Sequence, residues 1–330
     1  MIRKFLTLVC VVAAFGVVTA SIGNAQAAET IKFGHVGQPG SLMDKVATEF
    51  AKRANEKLGD KAEVRVYGSS QLGSDTQMLR KLKLGTIDMS LPSTVMSSVA
   101  PSFALFEMPF MVADREHMSR IRESELIRGK LDEAAESQNY KIIGIWENGF
   151  RNITNNERAI NTPQDLRGIK LRTPNGQWRV RMFKSYGANP TPMPYSETFV
   201  GLQTGAVDGQ ENPLAQIYPA RFYEVQDYLS LSRHVYTPAY VLTGASWQRL
   251  PDDVRQILAQ TAEDMQPVAL EMGAQLDDEF LTKLKDEGMK VNDIDRQAFV
   301  DASKPIYQAF EEEVEDGAAM IEEVRSLKDE

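Results

Sequence analysis

Residues 202–208 read LQTGAVD and residues 82–88 read LKLGTID. The two stretches share a leucine, a glycine, a β-branched residue and an aspartate at the same spacing. Each predicts a helix that a glycine ends, followed by a strand that carries the aspartate. Such units are common in α/β proteins, which is one explanation of the repeat. The other explanation is a pair of similarly built α/β domains that meet at a cleft.

Strand and helix patterns alternate on both sides of these two stretches. Apolar runs predict strands at 30–33, 62–66, 87–91, 142–146, 169–171 and around Val207. Apolar residues at three-to-four spacing and end signals predict helices at 41–58, 76–84, 162–168, 180–187 and from Ser196. This alternation indicates α/β layers with a largely parallel sheet.

A long helical pattern follows Pro251 and extends over residues 252–287, where Gly288 ends it. A helix of that length would measure about 54 Å and would be kinked at Pro267. We expect it to cross both domains and tie them together; the alternative is two shorter helices. An acidic helix is predicted from Pro305 to the end of the chain.

Composition and charge exclude several classes of protein. The 330 residues are 42% hydrophobic and 25% charged, which is typical of a globular protein with a large core. The formal charge of −9 argues against a nucleic-acid binder, because such a protein needs a basic face against phosphate. The same charge argues against docking to anionic lipid.

The N-terminus has the organisation of a secretory signal peptide. Arg3 and Lys4 precede an apolar run at 5–18, and Ala25-Gln26-Ala27 fits a small-x-small cleavage site. We therefore predict cleavage near Ala27 and a periplasmic mature protein; an uncleaved anchor is the alternative. Because Cys10 is the single cysteine, the mature chain would hold itself together without disulfides.

Motifs of enzymes and metal sites are missing from the sequence. His35, His117 and His234 lie far apart, and no G-x-S-x-G, Walker or G-x-G-x-x-G motif is present. We therefore predict no metal, no cofactor and no enzymatic activity. A Ser-His-Asp triad needs no local motif, so a periplasmic hydrolase or lyase stays open as an alternative of a different class.

Polar residues at strand ends in the second half are the candidates for ligand contacts. Arg172 follows the apolar strand 169–171, at the kind of boundary where open α/β sheets present ligand groups. An arginine held there offers a planar fork to one carboxylate. Arg151 offers a second cation, and Asn212 precedes Pro213, which favours an extended backbone. Ordinary surface ion pairs are the alternative for each arginine.

These residues belong to a longer ordered set of motifs. The set comprises QLG at 71–73, LGTID at 84–88, PF at 109–110, NGFR at 148–151, KLR at 170–172, PTPMP at 190–194, LQTGAVDGQENP at 202–213 and FYEVQ at 222–226. In this order the motifs strongly resemble the periplasmic solute-binding proteins of TRAP (tripartite ATP-independent periplasmic) transporters. The similarity covers essentially the whole chain after the signal peptide.

The resemblance implies a two-domain α/β fold of the periplasmic-binding-protein type (class II-like), with crossing hinge strands and a long domain-spanning helix. We expect an N-terminal domain of residues 28–148 plus about 238–277, and a C-terminal domain of residues 149–237 plus about 278–330. The domains would close on a small organic acid and deliver it to the subunits of a membrane permease. We expect a monomer that binds no nucleic acid. A ligand-presenting partner of a membrane sensor is a further possibility.

The resemblance also implies the roles of several residues. Arg172 would pair with the ligand carboxylate, Arg151 would support it, and Asn212 would contact the same group. Asn175 and Pro174 would lie beside the ligand, and Tyr195 would form an aromatic wall.

The residues themselves bear on the class of acid. Polar side chains including Gln71, Ser74 and Ser93 suggest hydroxyl recognition and favour a sugar acid, such as a uronate or aldonate, or another hydroxy acid. A C4-dicarboxylate would need a second cationic site in the N-terminal domain. The candidates for such a site are His35, Arg80, Lys81 and Lys83.

Overall fold

The computed structural model describes residues 29–328. The predicted signal peptide of residues 1–27, with Cys10, lies outside the described residues, and its cleavage stays a prediction. In the described part of the chain, no helix is long and apolar enough to cross a membrane.

Strands and helices alternate along most of the chain. The strands are β1 (Glu29–Gly34), β2 (Ala62–Tyr67), β3 (Met89–Ser90), β4 (Lys141–Asn155), β5 (Lys170–Thr173), β6 (Asn189–Pro192), β7 (Gly209–Pro213), β8 (Tyr228–Leu231), β9 (Tyr236–Thr243) and β10 (Lys290–Asp293). The α-helices are α1 (Leu42–Leu58), α2 (Asp75–Leu84), α3 (Arg115–Glu123), α4 (Glu125–Glu136), α5 (Gln177–Ser185), α6 (Thr198–Gln203), α7 (Leu214–Ile217), α8 (Asp252–Asp264), α9 (Gln266–Asp286), α10 (Arg296–Ala302), α11 (Lys304–Glu313) and α12 (Gly317–Ser326). Short 3-10 helices include Thr94–Ser98, Pro101–Glu107 and Pro163–Leu166.

The strands form two sheets that share β4. The first sheet has the order β2-β1-β3-β9-β4, with β1 parallel to β2 and β3. The second has the order β6-β5-β7-β4-β8-β10, with β5 parallel to β6 and β7. We call the layers around these sheets the first lobe and the second lobe. The two lobes confirm the predicted two-domain α/β fold.

Two strand segments cross between the lobes, as the fold prediction requires. Strand β4 pairs with β9 as far as Phe150 and with β7 from Arg151 onward. The chain crosses a second time between β8 and β9. The change of partner lies two residues beyond the predicted boundary at 148/149, and the domain boundaries themselves stay a prediction.

The repeated sequence stretches build the same local structure in each lobe. The carboxylate of Asp88 accepts a hydrogen bond from Lys32 N at 2.8 Å, and that of Asp208 accepts one from Lys170 N at 2.8 Å. The backbone N–H of each aspartate donates in return to the carbonyl of the same lysine. Both aspartates lie just before a strand, β3 or β7, and not within it as predicted. The two lobes are therefore similarly built around this unit.

The helix predicted over 252–287 is interrupted. Helix α8 ends at Asp264 and α9 begins at Gln266, so the alternative of two shorter helices is the correct one. Pro267 causes the break, because it lacks an N–H and its ring clashes with the preceding turn of helix. Helix α9 spans the lobes: it packs against α1 of the first lobe and α7 of the second.

Two predicted strands have different lengths from those expected. The strand predicted at 87–91 is reduced to Met89–Ser90, and the one predicted at 142–146 extends over Lys141–Asn155. The extension contains Glu147, Asn148 and Arg151, polar residues that do not fit a strand pattern in the sequence. All three are buried between the lobes, where other polar groups bind them.

An aromatic cluster fixes the first lobe on the crossing strand. The rings of Phe33, Phe50 and Trp146 lie 5.5–6.1 Å apart and join β1, α1 and β4. The Trp146 indole N–H donates to Ala262 O at 2.8 Å, which fastens α8 to the same strand. This packing places the carboxyl ends of β1 and β3 against the second lobe.

Candidate functional site

A cavity lies between the lobes at the carboxyl ends of β1, β3, β5 and β7, where open α/β sheets bind their ligands. Its walls come from both lobes and from the crossing strand β4. The lining residues are Val36, Met43, Ser74, Asp75, Thr76, Ser93, Thr94, Val95, Asn148, Arg151, Arg172, Pro174, Asn175, Met193, Pro194, Tyr195, Asn212 and Gln216.

Eight of the ten predicted ligand contacts line this cavity. They are Arg172, Arg151, Asn212, Asn175, Pro174, Tyr195, Ser74 and Ser93. The structure therefore brings together residues that are up to 138 positions apart in the sequence, from Ser74 to Asn212. Gln71 and His35 do not line it.

Arg172 is a buried cation that has no carboxylate partner within the described residues. Its side chain is 2% exposed, and its Nε and Nη2 donate to Met193 O at 3.0 and 2.6 Å. The other two buried arginines of the described chain, Arg151 and Arg179, are both bound to carboxylates. Burial and then the charge of Arg151 lower the pKa of Arg172 to about 10, so it stays a cation at neutral pH.

Arg151 is held in place by Glu211. Its Nε donates to Glu211 Oε2 at 2.5 Å and its Nη2 to Glu211 O at 2.5 Å. Glu211 Oε2 is also bound by Arg179 Nη1 at 2.6 Å and by His234 Nε2 at 3.1 Å. Burial alone would raise the pKa of Glu211, but Arg151 and Arg179 hold it well below the usual range. Glu211 is thus a permanent anion that orients Arg151 toward the cavity.

Neutral polar groups complete the second-lobe side of the cavity. Asn212 Nδ2 donates to Gln210 Oε1 at 2.6 Å, and Tyr195 OH donates to Gln216 O at 2.9 Å. Gln216 Nε2 donates to Asn148 Oδ1 at 3.2 Å, whereas its Oε1 is buried without a partner in the described chain. The backbone carbonyl of Gln216 fixes the Tyr195 side chain against the cavity.

The first lobe contributes hydroxyl groups and one carboxyl group. Ser74 caps α2 in a capping box with Gln77, which directs the first turn of this helix at the cavity. Asp75 follows, and its Oδ1 is buried with no hydrogen-bond partner in the described residues. Burial raises the pKa of Asp75 to about 7, against the opposing charge of Arg172. Ser93 donates through Oγ to Pro238 O at 2.7 Å.

Gln71 and His35 lie elsewhere in the first lobe. Gln71 is exposed, and its backbone N–H donates to Gly68 O in a turn. His35 is fully buried, and a Cβ at Gly68 would lie 2.8 Å from its Cε1, so its ring fills the space under that turn. Burial lowers the pKa of His35 to about 4, although Asp44 opposes the shift. His35 is therefore a neutral packing residue and not a cation for a ligand.

The other proposed cations of the first lobe also lie outside the cavity. The Lys81 Nζ donates to Leu72 O at 2.8 Å, and Arg80 and Lys83 are exposed on the same helix. Among the described residues, the first-lobe wall of the cavity thus contains no arginine, lysine or histidine. Nor do the described residues include three His, Cys, Asp or Glu side chains placed to hold a metal ion.

Asp75 is the main residue that sequence reasoning did not identify. A single aspartate in an acidic protein carries no signal by itself. The sequence did contain one clue, because the Ser74-x-x-Gln77 capping box places Asp75 in the first turn of α2, beside the predicted contact Ser74.

The lobes touch at the rim of the cavity. A Cβ at Gly176, in the loop after β5, would lie 2.9 Å from Ser97 Oγ of the first lobe. Inside this rim, a buried cation on one side faces hydroxyl groups and a carboxyl group on the other. The arrangement can bind one carboxylate at Arg172 and accept or donate hydrogen bonds to hydroxyls at the opposite wall.

Comparisons with known proteins agree with this geometry. Residues 33–313 match the family described as bacterial extracellular solute-binding protein, family 7. The 2,3-diketo-L-gulonate-binding periplasmic protein YiaO of Escherichia coli (strain K12) is 30% identical over 92% of this chain and 94% of its own length.

Solved structures are similar over the same span. The sugar acid binding protein DctPAm of Advenella mimigardefordensis, in complex with galactonate, has a TM-score of 0.87 and 31% identity over 91% of this chain and 99% of that one. A TRAP periplasmic solute binding protein of Sulfurospirillum deleyianum with bound succinate has a TM-score of 0.86 and 31% identity, and the match covers 92% of this chain and 100% of that one.

Proposed function

Because this chain belongs to the bacterial extracellular solute-binding proteins of family 7, we propose that it captures a small hydroxylated monocarboxylate of the sugar-acid class between its lobes. The membership confirms the resemblance to TRAP-transporter solute-binding proteins that the sequence motifs indicated. The family consists of substrate-binding transport proteins, so we also propose that this chain is not an enzyme.

The observation that carries the proposal is the buried guanidinium of Arg172 without a carboxylate partner in the described residues. Burying a cation is costly unless an anion compensates it. A ligand carboxylate supplies that anion, and the planar fork of arginine binds it through two parallel hydrogen bonds. Arg151, held by Glu211, adds a second positive charge to attract the same group.

The remaining contacts suit hydroxyl groups. Thr94 can donate to or accept from a ligand hydroxyl, and the Asp75 carboxyl can accept from one. Ser93 can accept from a ligand hydroxyl, because its own proton is donated to Pro238 O. On the second-lobe side we assign polar contacts to Asn175 and Asn212, and an apolar wall to Pro174 and Tyr195. Galactonate, the ligand of the similar Advenella protein, carries one carboxylate and several hydroxyls, which matches this division.

A C4-dicarboxylate is the second candidate, since the similar Sulfurospirillum protein holds succinate. The wall opposite Arg172 disfavours it here. That wall presents Asp75 where a second carboxylate would need a cation, and like charges in a buried site repel. A hydrolase or lyase that acts on organic acids remains the alternative of a different class.

Capture would proceed by closure of the lobes about β4 and the segment between β8 and β9. The carboxylate binds the second lobe first, and the first-lobe contacts then favour the closed form over the open one. The contact of Gly176 with Ser97 supports a closed form that encloses the ligand. The loaded monomer, exported and cleaved near Ala27, would deliver its acid in the periplasm to a membrane permease.

A panel of acids tests the proposal. Melting temperatures of the purified protein are measured with uronates, aldonates, dicarboxylates and keto acids, and retained ligand is identified by mass spectrometry after denaturation. We expect stabilisation by an aldonate or uronate and recovery of the acid unchanged. Stabilisation by dicarboxylates alone would favour the second candidate, and chemical conversion of the acid would favour an enzyme.

A further inference from the structure

An ion pair behind the cavity joins the two lobes. Glu107, at the end of the 3-10 helix Pro101–Glu107 of the first lobe, is 2% exposed, and Arg179, in α5 of the second lobe, is fully buried. Arg179 Nε donates to Glu107 Oε2 at 2.8 Å, and Arg179 Nη1 donates to Glu211 Oε2 at 2.6 Å. Neither Glu107 nor Arg179 lines the ligand cavity, and the proposed function assigns them no role.

The pair is nevertheless close to the ligand cavity. Glu107 lines a small cavity together with Ser93 and Thr94, and those two residues also line the ligand cavity. On the other side, Arg179 shares the Glu211 carboxylate with Arg151. The pair is thus separated from a bound ligand by Ser93 and Thr94 on one side and by Glu211 and Arg151 on the other. All the charges of this region are buried, so water screens them little.

Asp75 lies on the first-lobe wall of the cavity and is counted separately. Without it, the formal charges of the buried arginines and their paired carboxylates leave one positive charge uncompensated. Within residues 29–328, the cluster contains the three buried arginines Arg151, Arg172 and Arg179 and the two carboxylates Glu107 and Glu211. His234 adds no charge, because burial lowers its pKa to about 4 despite the opposing hydrogen bond of Glu211. A single ligand carboxylate would neutralise the remainder.

We propose that Glu107 determines the charge of the ligand that the site accepts. By compensating Arg179, it limits the cluster to one net positive charge, which suits a monocarboxylate and not a dicarboxylate. Without the Glu107 carboxylate the cluster would carry two net positive charges. Arg179 would then be left partly uncompensated, and its Nη2 already lacks a partner in the described chain. The inference rests on the proposed function and names a selectivity residue for it.

The test uses two acids with the same carbon skeleton, galactonate with one carboxylate and galactarate with two. Their affinities are measured by titration calorimetry at pH 8 for the wild type, E107Q, E107D, R179Q and the E107Q/R179Q double variant. Asp75 is present in every variant, so its effect cancels from the comparison of galactarate to galactonate affinity.

We expect this ratio to rise at least tenfold in E107Q and to fall by a similar factor in R179Q. E107D, which keeps the charge, and the double variant, which keeps the sum of charges, should return ratios near that of the wild type. A purely structural role would lower both affinities together and would give the double variant the largest defect.

The outcomes separate this inference from the proposed function. A wild type that binds neither acid would count against the proposed function itself. A wild type that binds galactonate, with an unchanged ratio in folded E107Q, would overturn the role of Glu107 alone. Should E107Q fail to fold, as its melting curve would reveal, R179Q and the double variant still decide: equal ratios in the wild type and R179Q would overturn the role.

Discussion

The two lobes are built around the same helix-glycine-strand unit, but they carry different side chains at corresponding positions of it. Lys32 and Asp88 in the first lobe are bonded in the same way as Lys170 and Asp208 in the second. Counting along the strands from these lysines, Arg172 corresponds to Gly34, and the strand pairings agree: Gly34 pairs with Ser90, and Arg172 with Gln210. The position of the proposed anion anchor in one lobe is therefore a glycine in the other.

Packing explains this difference between the lobes. A Cβ at Gly34 would lie 2.7 Å from Met78 Sδ and 3.2 Å from Leu72 Cδ1, so helix α2 and the loop before it leave no space for a side chain. The first lobe consequently places its polar groups on the first turn of α2 and the segment after β3. A duplicated framework thus fixes where the cavity forms, while local packing decides which lobe can hold a cation.

Removing the Arg172 cation is the strongest test of this difference between the lobes. Arg172→Ala should weaken galactonate binding at least about 30-fold, because truncating one member of a buried charge pair costs on the order of 2–5 kcal/mol. The free protein should keep its melting temperature within a few degrees, since no carboxylate partner is left unpaired. Calorimetric titration and thermal melting measure the two effects.

The control for this variant is Lys184→Ala, which removes an exposed cation of α5 in the same lobe. We expect wild-type affinity and stability from it. Full ligand-induced stabilisation of the Arg172→Ala protein would remove the carboxylate anchor from the second lobe and make the lobes equivalent in their chemistry.

His35, the neighbour of Gly34, should make the first lobe sensitive to acid. Its folded pKa of about 4 is below the unfolded value of about 6.5, so the unfolded chain binds the proton more readily. Stability is therefore fully present above pH 6.5 and is lost as the pH falls toward 4, by about 2–3 kcal/mol for this group. Between pH 7 and 4.5, the free energy of unfolding in urea should therefore fall by about 2–3 kcal/mol less in His35→Leu than in the wild type.

At neutral pH, by contrast, we expect His35→Leu to change the stability little. Both ring nitrogens of His35 lack hydrogen-bond partners in the described residues, so leucine should cost little there. A pH profile parallel to that of the wild type would show that His35 is already protonated or solvated in the folded protein.

Asp75 tests the division of ligand recognition between the lobes. Asp75→Asn should weaken galactonate binding about 30-fold, because a hydrogen bond to a charged group contributes on the order of 2 kcal/mol. Succinate binding should stay equal or improve, since a like charge is removed. Asp252→Asn is the matched control, because Asp252 is also the first residue of a helix but is exposed on α8. Equal losses for both acids would indicate that Asp75 supports the lobe and does not distinguish ligands.

Gly34 tests why the lobes differ. Gly34→Ala should destabilise the free protein by about 1–2 kcal/mol in urea unfolding, because the new methyl group overlaps Met78 and Leu72. At the corresponding position of the second lobe, Arg172→Ala should have little effect on stability. If Gly34→Ala is as stable as the wild type, packing does not account for the missing cation of the first lobe.

The sequence predicted most of the framework and most of the second-lobe site. The cap at Ser41 and the glycine at 85 located helices α1 and α2 to within a residue. The position of Arg172, at the end of an apolar strand, follows from local pattern. Its proposed role came from the family resemblance, because a lone arginine at a strand end has many possible partners.

Other features depend on contacts between distant segments and were not predictable from local pattern. The Glu107–Arg179 pair joins residues 72 positions apart, and nothing in either segment indicates the other. Strand β4 was predicted too short because Glu147 and Asn148 look unfavourable in a strand until the lobes enclose them. The correspondence of Gly34 with Arg172 likewise emerges only from the pairing of β1 with β3 and of β5 with β7.

The smallest expected effect concerns the shared framework itself. Asp88→Ala and Asp208→Ala each remove one hydrogen bond from a strand N–H to a carboxylate, and each should cost about 1 kcal/mol in urea unfolding. Asp208 also forms an ion pair with Lys170 Nζ at 3.0 Å, so its loss should cost slightly more at low salt. In 1 M NaCl, which screens such a pair, the two costs should become equal. If the two losses of unfolding free energy stay unequal in salt, the Lys32–Asp88 and Lys170–Asp208 units have the same geometry but stabilise their lobes by different amounts.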